Sequence, residues 1–353
     1  MAAFQAEKRP GARLDACAVV TQNLPPPPCV NGINHYVSTA CVADATRFRT
    51  VRLKFGMKLF PWAILATLLA FLLPPARAEI VVKDDSGREL RLSEPARRIV
   101  ALAPNAVENL FAAGAGGKLV GAVDYSDYPP EAGKAPRVGG YARLDLEAIV
   151  ALKPDLVVAW ESGNDMKQVD KLRALGLNIY ISQPQRMADV ADELERLGRL
   201  AGTERIANAA AQGFRQRLEG LRAANADKPR VRVFFQLGGA PLMTVGGPQV
   251  ISSVIALCGG VNVFGHLDQL APTVGREAVL EADPETIIAT GMEVARPEAL
   301  RVWDKWTRLT AVRRGNLFHI HPDIMLRHTP RLLDGAEKLC AQLDVARDRR
   351  PAQ

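Results

Sequence analysis

The stretch TERIANAAAQGFRQRLEGLRAANA, residues 203–226, decides how the rest of the chain is arranged. Thr203 is placed to cap a helix, with Glu204 in the first turn, where a carboxylate suits the helix dipole. Gly202 closes the preceding segment and Pro229 follows the far end. Ile206, Ala210, Phe214, Leu218 and Leu221 recur every three or four residues, which predicts one apolar stripe on an otherwise charged helix. At 1.5 Å per residue such a helix is about 35 Å long. It is too polar for a core helix and too short for a coiled coil. It reads as a strut across one side of a two-part molecule.

The flanking halves carry the same phrase. Upstream, EAIVALKPDLVVA spans residues 147–159; downstream, EAVLEADPETIIA spans residues 277–289. Each reads as a short helix, a Pro-acid turn and a β-rich strand. Such units also look alike by chance in α/β proteins, but two related lobes bridged by a helix explain the match better.

Length and charge narrow the class. The 353 residues can hold two domains. The formal charge is +7, yet residues 1–78 hold nine Lys/Arg against three Asp/Glu, which leaves 36 against 35 in the remainder. A nucleic-acid footprint therefore has no support. The excess sits in a leader. Met57-Lys58 opens a basic region, residues 60–73 are almost wholly apolar, and Ala76-Arg77-Ala78 supplies a small-residue cleavage site. This reads as a signal peptide over residues 57–78, too short to span a bilayer. Residues 1–56, with four prolines in a row at 25–28, read as an over-called, disordered extension before the true start. The exported chain then begins near Glu79 and holds two cysteines, Cys258 and Cys340, which an oxidising compartment pairs.

Past a lead-in without predicted elements, strands are expected at residues 98–104, 119–123, 156–160 and 179–181. Helices are expected at 105–113 and 169–175. A helix over 187–200 leads into the strut. Beyond Pro229 the pattern gives strands at 231–237, 286–289 and 317–320, and helices at 250–257 and 332–343. Alternating strands and helices predict an α/β fold: two Rossmann-like lobes with mostly parallel sheets, over residues 79–185 and 229–353, joined by linking helices in 186–228. Ligands sit beyond the carboxyl ends of such strands. Those ends carry Asp124-Tyr125, Trp160-Glu161, Gly238-Gly239 and His321-Pro322-Asp323, all expected to face a groove between lobes.

Enzyme signatures are missing. Residues 114–118 are glycine-rich without P-loop spacing, and no G-x-S-x-G or H-E-x-x-H occurs. His319 and His321 could share a strand face with Asp323 or His328 around a metal, though surface histidines at a strand end are the simpler reading. Tyr125, Tyr128, Tyr141 and Trp160 fall at strand ends or in loops of the first lobe, where flat apolar area suits a large ligand. Trp303 and Trp306 read as packing residues on a helix of the second lobe.

The ordered set Tyr125-Ser-Asp-Tyr-Pro-Pro130, ALKPDLVVAW at 151–160, Gly163-Asn164, Gln168-Val-Asp170, Cys258-Gly-Gly260, Pro330-Arg331 and Leu339-Cys340 resembles the helical-backbone solute-binding proteins of ABC importers, which carry cobalamin, siderophores or haem. The resemblance is strongest to the cobalamin-binding members. It implies two lobes on one rigid helix, a Cys258–Cys340 bridge, and ligand contacts at Tyr125, Tyr141, Trp160, Met243, Asp323 and Arg327. Tyr141 and Met243 stand where cobalamin receptors carry Trp and Phe, and Ala271 where they carry another Trp, so one cleft wall is reduced. It further implies that Glu147 and Glu277 dock onto a membrane permease dimer with its ATPase subunits. The function expected is a monomeric periplasmic receptor, not an enzyme and without a cofactor of its own, that takes a corrinoid as transported ligand. Alternatives are a haem or ferric-siderophore receptor of the same fold, or a metal-chelate-binding enzyme component.

Overall fold

The structure, a computed structural model, describes residues 79–140, 143–290 and 298–352. The expected leader, the segment before it and Tyr141 lie outside the described residues. The lead-in forms a hairpin that the sequence reading missed, β1 (Ile80–Lys83) against β2 (Glu89–Leu92). Its turn is local chemistry. The Asp84 carboxylate accepts from Ser86 Oγ and Arg88 N–H, and Gly87 takes a φ of +84°.

The first lobe follows in chain order: β3 (Ile99–Ala101), α1 (Pro104–Ala112), β4 (Leu119–Ala122), the short pair β5 (Gly139–Gly140) and β6 (Arg143–Leu144), α2 (Leu146–Ala151), β7 (Leu156–Trp160), α3 (Met166–Ala174) and β8 (Ile179–Ser182). Asp145 and Asp165 cap α2 and α3 by accepting from Ala148 and Lys167 N–H. The main sheet runs β4-β3-β7-β8, all parallel. In β7 the residues Leu156 to Ala159 are buried on both faces, as a parallel strand covered on both sides must be.

Two helices form the spine, α4 (Met187–Ala201) and α5 (Glu204–Asn225), with Gly202 at φ +66° between them. Here the sequence reading needs correcting. Phe214 and Leu218 of the predicted stripe are buried and Ala210 and Leu221 pack against the core, but Ile206 is half exposed, and Ala207 and Ala211 are buried beside the stripe. The reason is close approach: a Cβ on Gly198 would lie 2.2 Å from Ala207 Cβ, so α4 packs on the small residues of α5. Thr203 is no side-chain cap either; its hydroxyl donates to Ala113 O at 2.6 Å.

The second lobe comprises β9 (Val231–Gly239), β10 (Leu242–Thr244), α6 (Val250–Leu257), β11 (Gly260–Asn262), α7 (Arg276–Ala282), β12 (Thr286–Thr290), α8 (Glu298–Arg301), α9 (Thr310–Arg313), β13 (Leu317–Ile320), α10 (Pro322–Met325) and α11 (Leu332–Asp348). Long β9 takes antiparallel β10 and parallel β11 on one edge and parallel β12 on the other, with β13 beyond. Trp303 and Trp306 follow α8 in turns rather than on the expected helix. Trp303 is buried edge-on to Phe234, and its indole donates to Gln236 at 2.8 Å. The Cys258–Cys340 disulfide ties the end of α6 to α11.

Candidate ligand-binding site

Directly after β4, Tyr125 is 72% exposed at a φ of +62°. A bulky residue in left-handed backbone costs about 1–3 kcal/mol and needs outside support. Two arginines supply it. Arg137 donates to Val123 O at 2.9 Å and to Ser126 O at 3.0 Å, and Arg327 donates to Tyr125 O at 3.3 Å. The backbone is clamped while the ring stands in solvent. No packing role accounts for that arrangement.

Trp160, at the end of β7, is positioned from within its own lobe. Its N–H donates to Asn164 Oδ1 at 2.7 Å, and Asn164 Nδ2 donates to Leu102 O at 2.8 Å. The indole packs closely against Gly163, where a Cβ would come within 1.8 Å of the ring. Gly163-Asn164 is thus a seat for Trp160. Across the ring, His328 from the second lobe stands edge-on at 6.2 Å between centroids. Burial pushes the His328 imidazole down to a pKa of about 4. Among the described residues neither its nitrogens nor Trp160 Nε1 finds a hydrogen-bond partner.

The second lobe meets the first through residues 326–331, between α10 and α11. Arg327 pairs with Glu108 at 2.7 Å, Asp127 at 3.0 Å and Asp323 at 2.9 Å. Arg331 pairs with Glu108 at 2.6 Å, and its guanidinium lies 3.8 Å from the centre of the half-exposed Tyr128 ring. His328 O accepts from Asn109 on α1 at 2.9 Å. The carboxyl ends of β4, β7 and β13 therefore converge. Met243, on β10 opposite Gly238, is partly buried in the wall of the second lobe.

Of the expected contacts, the structure brings Tyr125, Asp323 and Arg327 into one network and sets Trp160 against the neighbouring His328. Met243 is on separate elements. Arg327 and Asp323 already hold one another. Glu108, Arg331, His328, Arg137 and Asn164 were missed as working residues. Pro330-Arg331 and Gly163-Asn164 stood among the quoted motifs, but nothing in the sequence joined Glu108 to residues more than 200 positions away. Among the described residues no group of three His, Cys, Asp or Glu is placed to hold an ion.

Comparison with known proteins decides the class. Residues 99–324 match the family model described as periplasmic binding protein. The chain belongs to the periplasmic binding protein family. A vitamin B12-binding protein of Vibrio cholerae is 39% identical over 252 residues, 71% of this chain and 91% of that protein. The crystal structure of a periplasmic vitamin B12-binding protein of Vibrio cholerae superposes with a TM-score of 0.67, over 72% of this chain and 98% of that one. A periplasmic haem-binding protein of Pseudomonas aeruginosa superposes at 0.62 with 25% identity, over 73% and 95%. This periplasmic binding protein thus consists of two α/β lobes on a helical spine. It presents Glu147 and Glu277 exposed in the first turns of α2 and α7, neither in an ion pair among the described residues.

Proposed function

We propose that this periplasmic binding protein captures cobalamin or a related corrinoid between its lobes and delivers it to an inner-membrane ABC permease with its ATPase subunits. Tyr125 carries the reading. An aromatic ring held out in solvent on strained, doubly clamped backbone is pre-organised for a partner with a broad flat face. Trp160 stands at the carboxyl end of another strand of the same sheet, and relatives of high coverage are named for vitamin B12. Tyr125, Tyr141, Trp160 and Met243 supply apolar contact, while the Asp323–Arg327 pair borders the polar periphery of the ligand. Glu147 and Glu277, one on each lobe, suit a two-fold permease. Their double charge reversal is expected to leave corrinoid affinity unchanged and to impair salt-sensitive association with the permease more than either single change.

The protein is exported by the leader at 57–78, starts at Glu79 when mature, and is monomeric when free, with lobes over 79–185 and 229–353. Intact mass of periplasmic material tests the start. Titration of the mature protein with cyanocobalamin, dicyanocobinamide and hemin, followed by visible absorbance, tests the ligand. Saturable hemin binding with no response to either corrinoid overturns the corrinoid reading.

A further inference from the structure

We propose that Glu108 is the positioning residue of the cleft: from α1 it holds Arg327 and Arg331 of the other lobe, and through them it sets the lip formed by Tyr125 and Tyr128. This deepens the corrinoid reading and rests on it only for the ligand.

The Glu108 side chain is 2% exposed, and both its oxygens are used. Oε1 takes Arg327 Nη1 at 2.7 Å and Arg331 Nη2 at 2.6 Å, while Oε2 takes Arg331 Nε at 3.0 Å. Arg331 is therefore gripped side-on by a carboxylate, the geometry in which Arg fixes orientation as well as charge. Each arginine also reaches the lip. Arg327 bonds the Tyr125 carbonyl and the Asp127 carboxylate, and Arg331 stacks on the Tyr128 ring. Both are themselves largely buried, at 14% and 19% side-chain exposure.

A pure stability role explains this poorly. Buried ion pairs seldom stabilise more than apolar residues of the same size, and their attested use is to specify one arrangement. Here the arrangement specified is where two aromatic rings stand. Three carboxylates, Glu108, Asp127 and Asp323, share two guanidiniums. Removing the buried one leaves Arg327 to Asp127 and Asp323 and, among the described residues, Arg331 to the Tyr128 ring.

The test uses the full mature chain in two arms. Without ligand, amide hydrogen exchange over residues 119–129 is compared between wild type and Glu108→Gln. Exchange in the lip is expected to rise about tenfold while β12 is unchanged; an unaltered lip, or a uniform rise across both lobes, overturns the proposal. With cyanocobalamin, dissociation constants are measured for wild type, Glu108→Gln, Tyr125→Ala and the double variant. Glu108→Gln is expected to weaken binding roughly tenfold, and the double variant to bind within about twofold of Tyr125→Ala, because the two changes remove one function. Fully additive losses overturn the proposal. Arg331→Lys, which keeps the charge without the fork, gives the same pattern at smaller amplitude and serves if Glu108→Gln does not fold. Should wild type ignore cyanocobalamin, the corrinoid reading falls and the exchange arm alone decides the role of Glu108.

Discussion

In the first lobe α2 leads through Lys153 and Pro154 into β7; in the second α7 leads through Asp283 and Pro284 into β12. Lys153 and Asp283 both take positive φ, +47° and +35°, just before their prolines, where right-handed helix is disfavoured. The next residue works alike in each. Asp155 N–H donates to Arg98 O at 2.9 Å and its carboxylate accepts Arg98 N–H at 3.0 Å. Glu285 N–H donates to Arg232 O at 2.9 Å and its carboxylate accepts Arg232 N–H at 3.3 Å. Even the guanidiniums correspond: Arg98 donates to Leu152 O at 2.7 Å and Arg232 to Ala282 O at 2.6 Å, each satisfying carbonyls at a helix end. Chance likeness of two helix–turn–strand units does not reproduce such wiring. The units part company at their tips, where β7 ends in Trp160 and β12 in Thr290. One scaffold is used twice, and it presents a different residue at each tip.

The largest expected asymmetry is covalent. Only the second lobe is known to carry a disulfide among the described residues, closing 82 positions of chain. Replacing Cys258 and Cys340 by Ala is expected to lower unfolding free energy by about 4 kcal/mol in a denaturant titration, leaving corrinoid affinity nearly intact. A change in affinity as large as the change in stability breaks the division between scaffold and tips.

The first lobe has a buried acid instead. Glu193 on α4 is fully buried beside Ser182 and Asn109, with Asp85 and Arg196 nearby; burial raises its pKa from 4.5 to about 7, against the lowering influence of Ser182 and Arg196. The folded protein thus keeps a proton that the unfolded chain has shed. Stability from this group is fully present below about pH 4.5 and is lost as pH rises through about 7, by about 3 kcal/mol in all. Glu193→Gln is expected to unfold at higher urea than wild type at pH 8 and at similar urea at pH 4.5. His328 acts oppositely, its pKa lowered from 6.5 to about 4, so its cost appears as pH falls through that window. Equal gain at both pH values refutes the titration.

Trp160→Thr gives the first lobe the tip of the second. Corrinoid affinity is expected to fall at least tenfold, equivalent to about 1.4 kcal/mol, with the far-ultraviolet circular dichroism unchanged. Unaltered affinity returns Trp160 to a packing role.

The smallest effect separates the anchors themselves. Asp155 meets backbone N–H groups at the surface, whereas Glu285 also binds Arg314 at 3.0 Å and Arg350 at 2.9 Å, and the arginines hold its carboxyl below the usual range. Glu285→Ala is expected to cost about 1–2 kcal/mol and Asp155→Ala about half that in thermal unfolding. The reverse order denies the second lobe its tighter anchoring.

Much of this was legible in residue order. β7, α6 and β13 begin and end where the sequence places them; for β7 the reason is an apolar run covered on both faces, which leaves little choice of ends. The repeat at 147 and 277 announced the paired lobes. The β1–β2 hairpin was not legible, since each strand is only four residues long and the turn between them rests on the Asp84 side chain rather than on a glycine-containing two-residue loop. The stripe of α5 was misread at Ile206, because Ala207 and Ala211 weigh little by hydrophobicity yet allow α4 to come close. Within the cleft, Trp160 and Tyr125 could be named from strand ends. Glu108 could not, for an acid within a helix declares nothing until its arginines arrive from the far end of the chain.

Those arginines carry a mechanical consequence. The lobes are fastened at two places: covalently through the α4–α5 spine, and by the residues 326–331 lying against α1. A body pinned at two separated points keeps one easy motion, rotation about the line joining them. Opening by twist or by sliding would tear one of the two fastenings, whereas a rocking movement loads both only lightly. A partner gripping each lobe at Glu147 and Glu277 would therefore have one direction in which to pull.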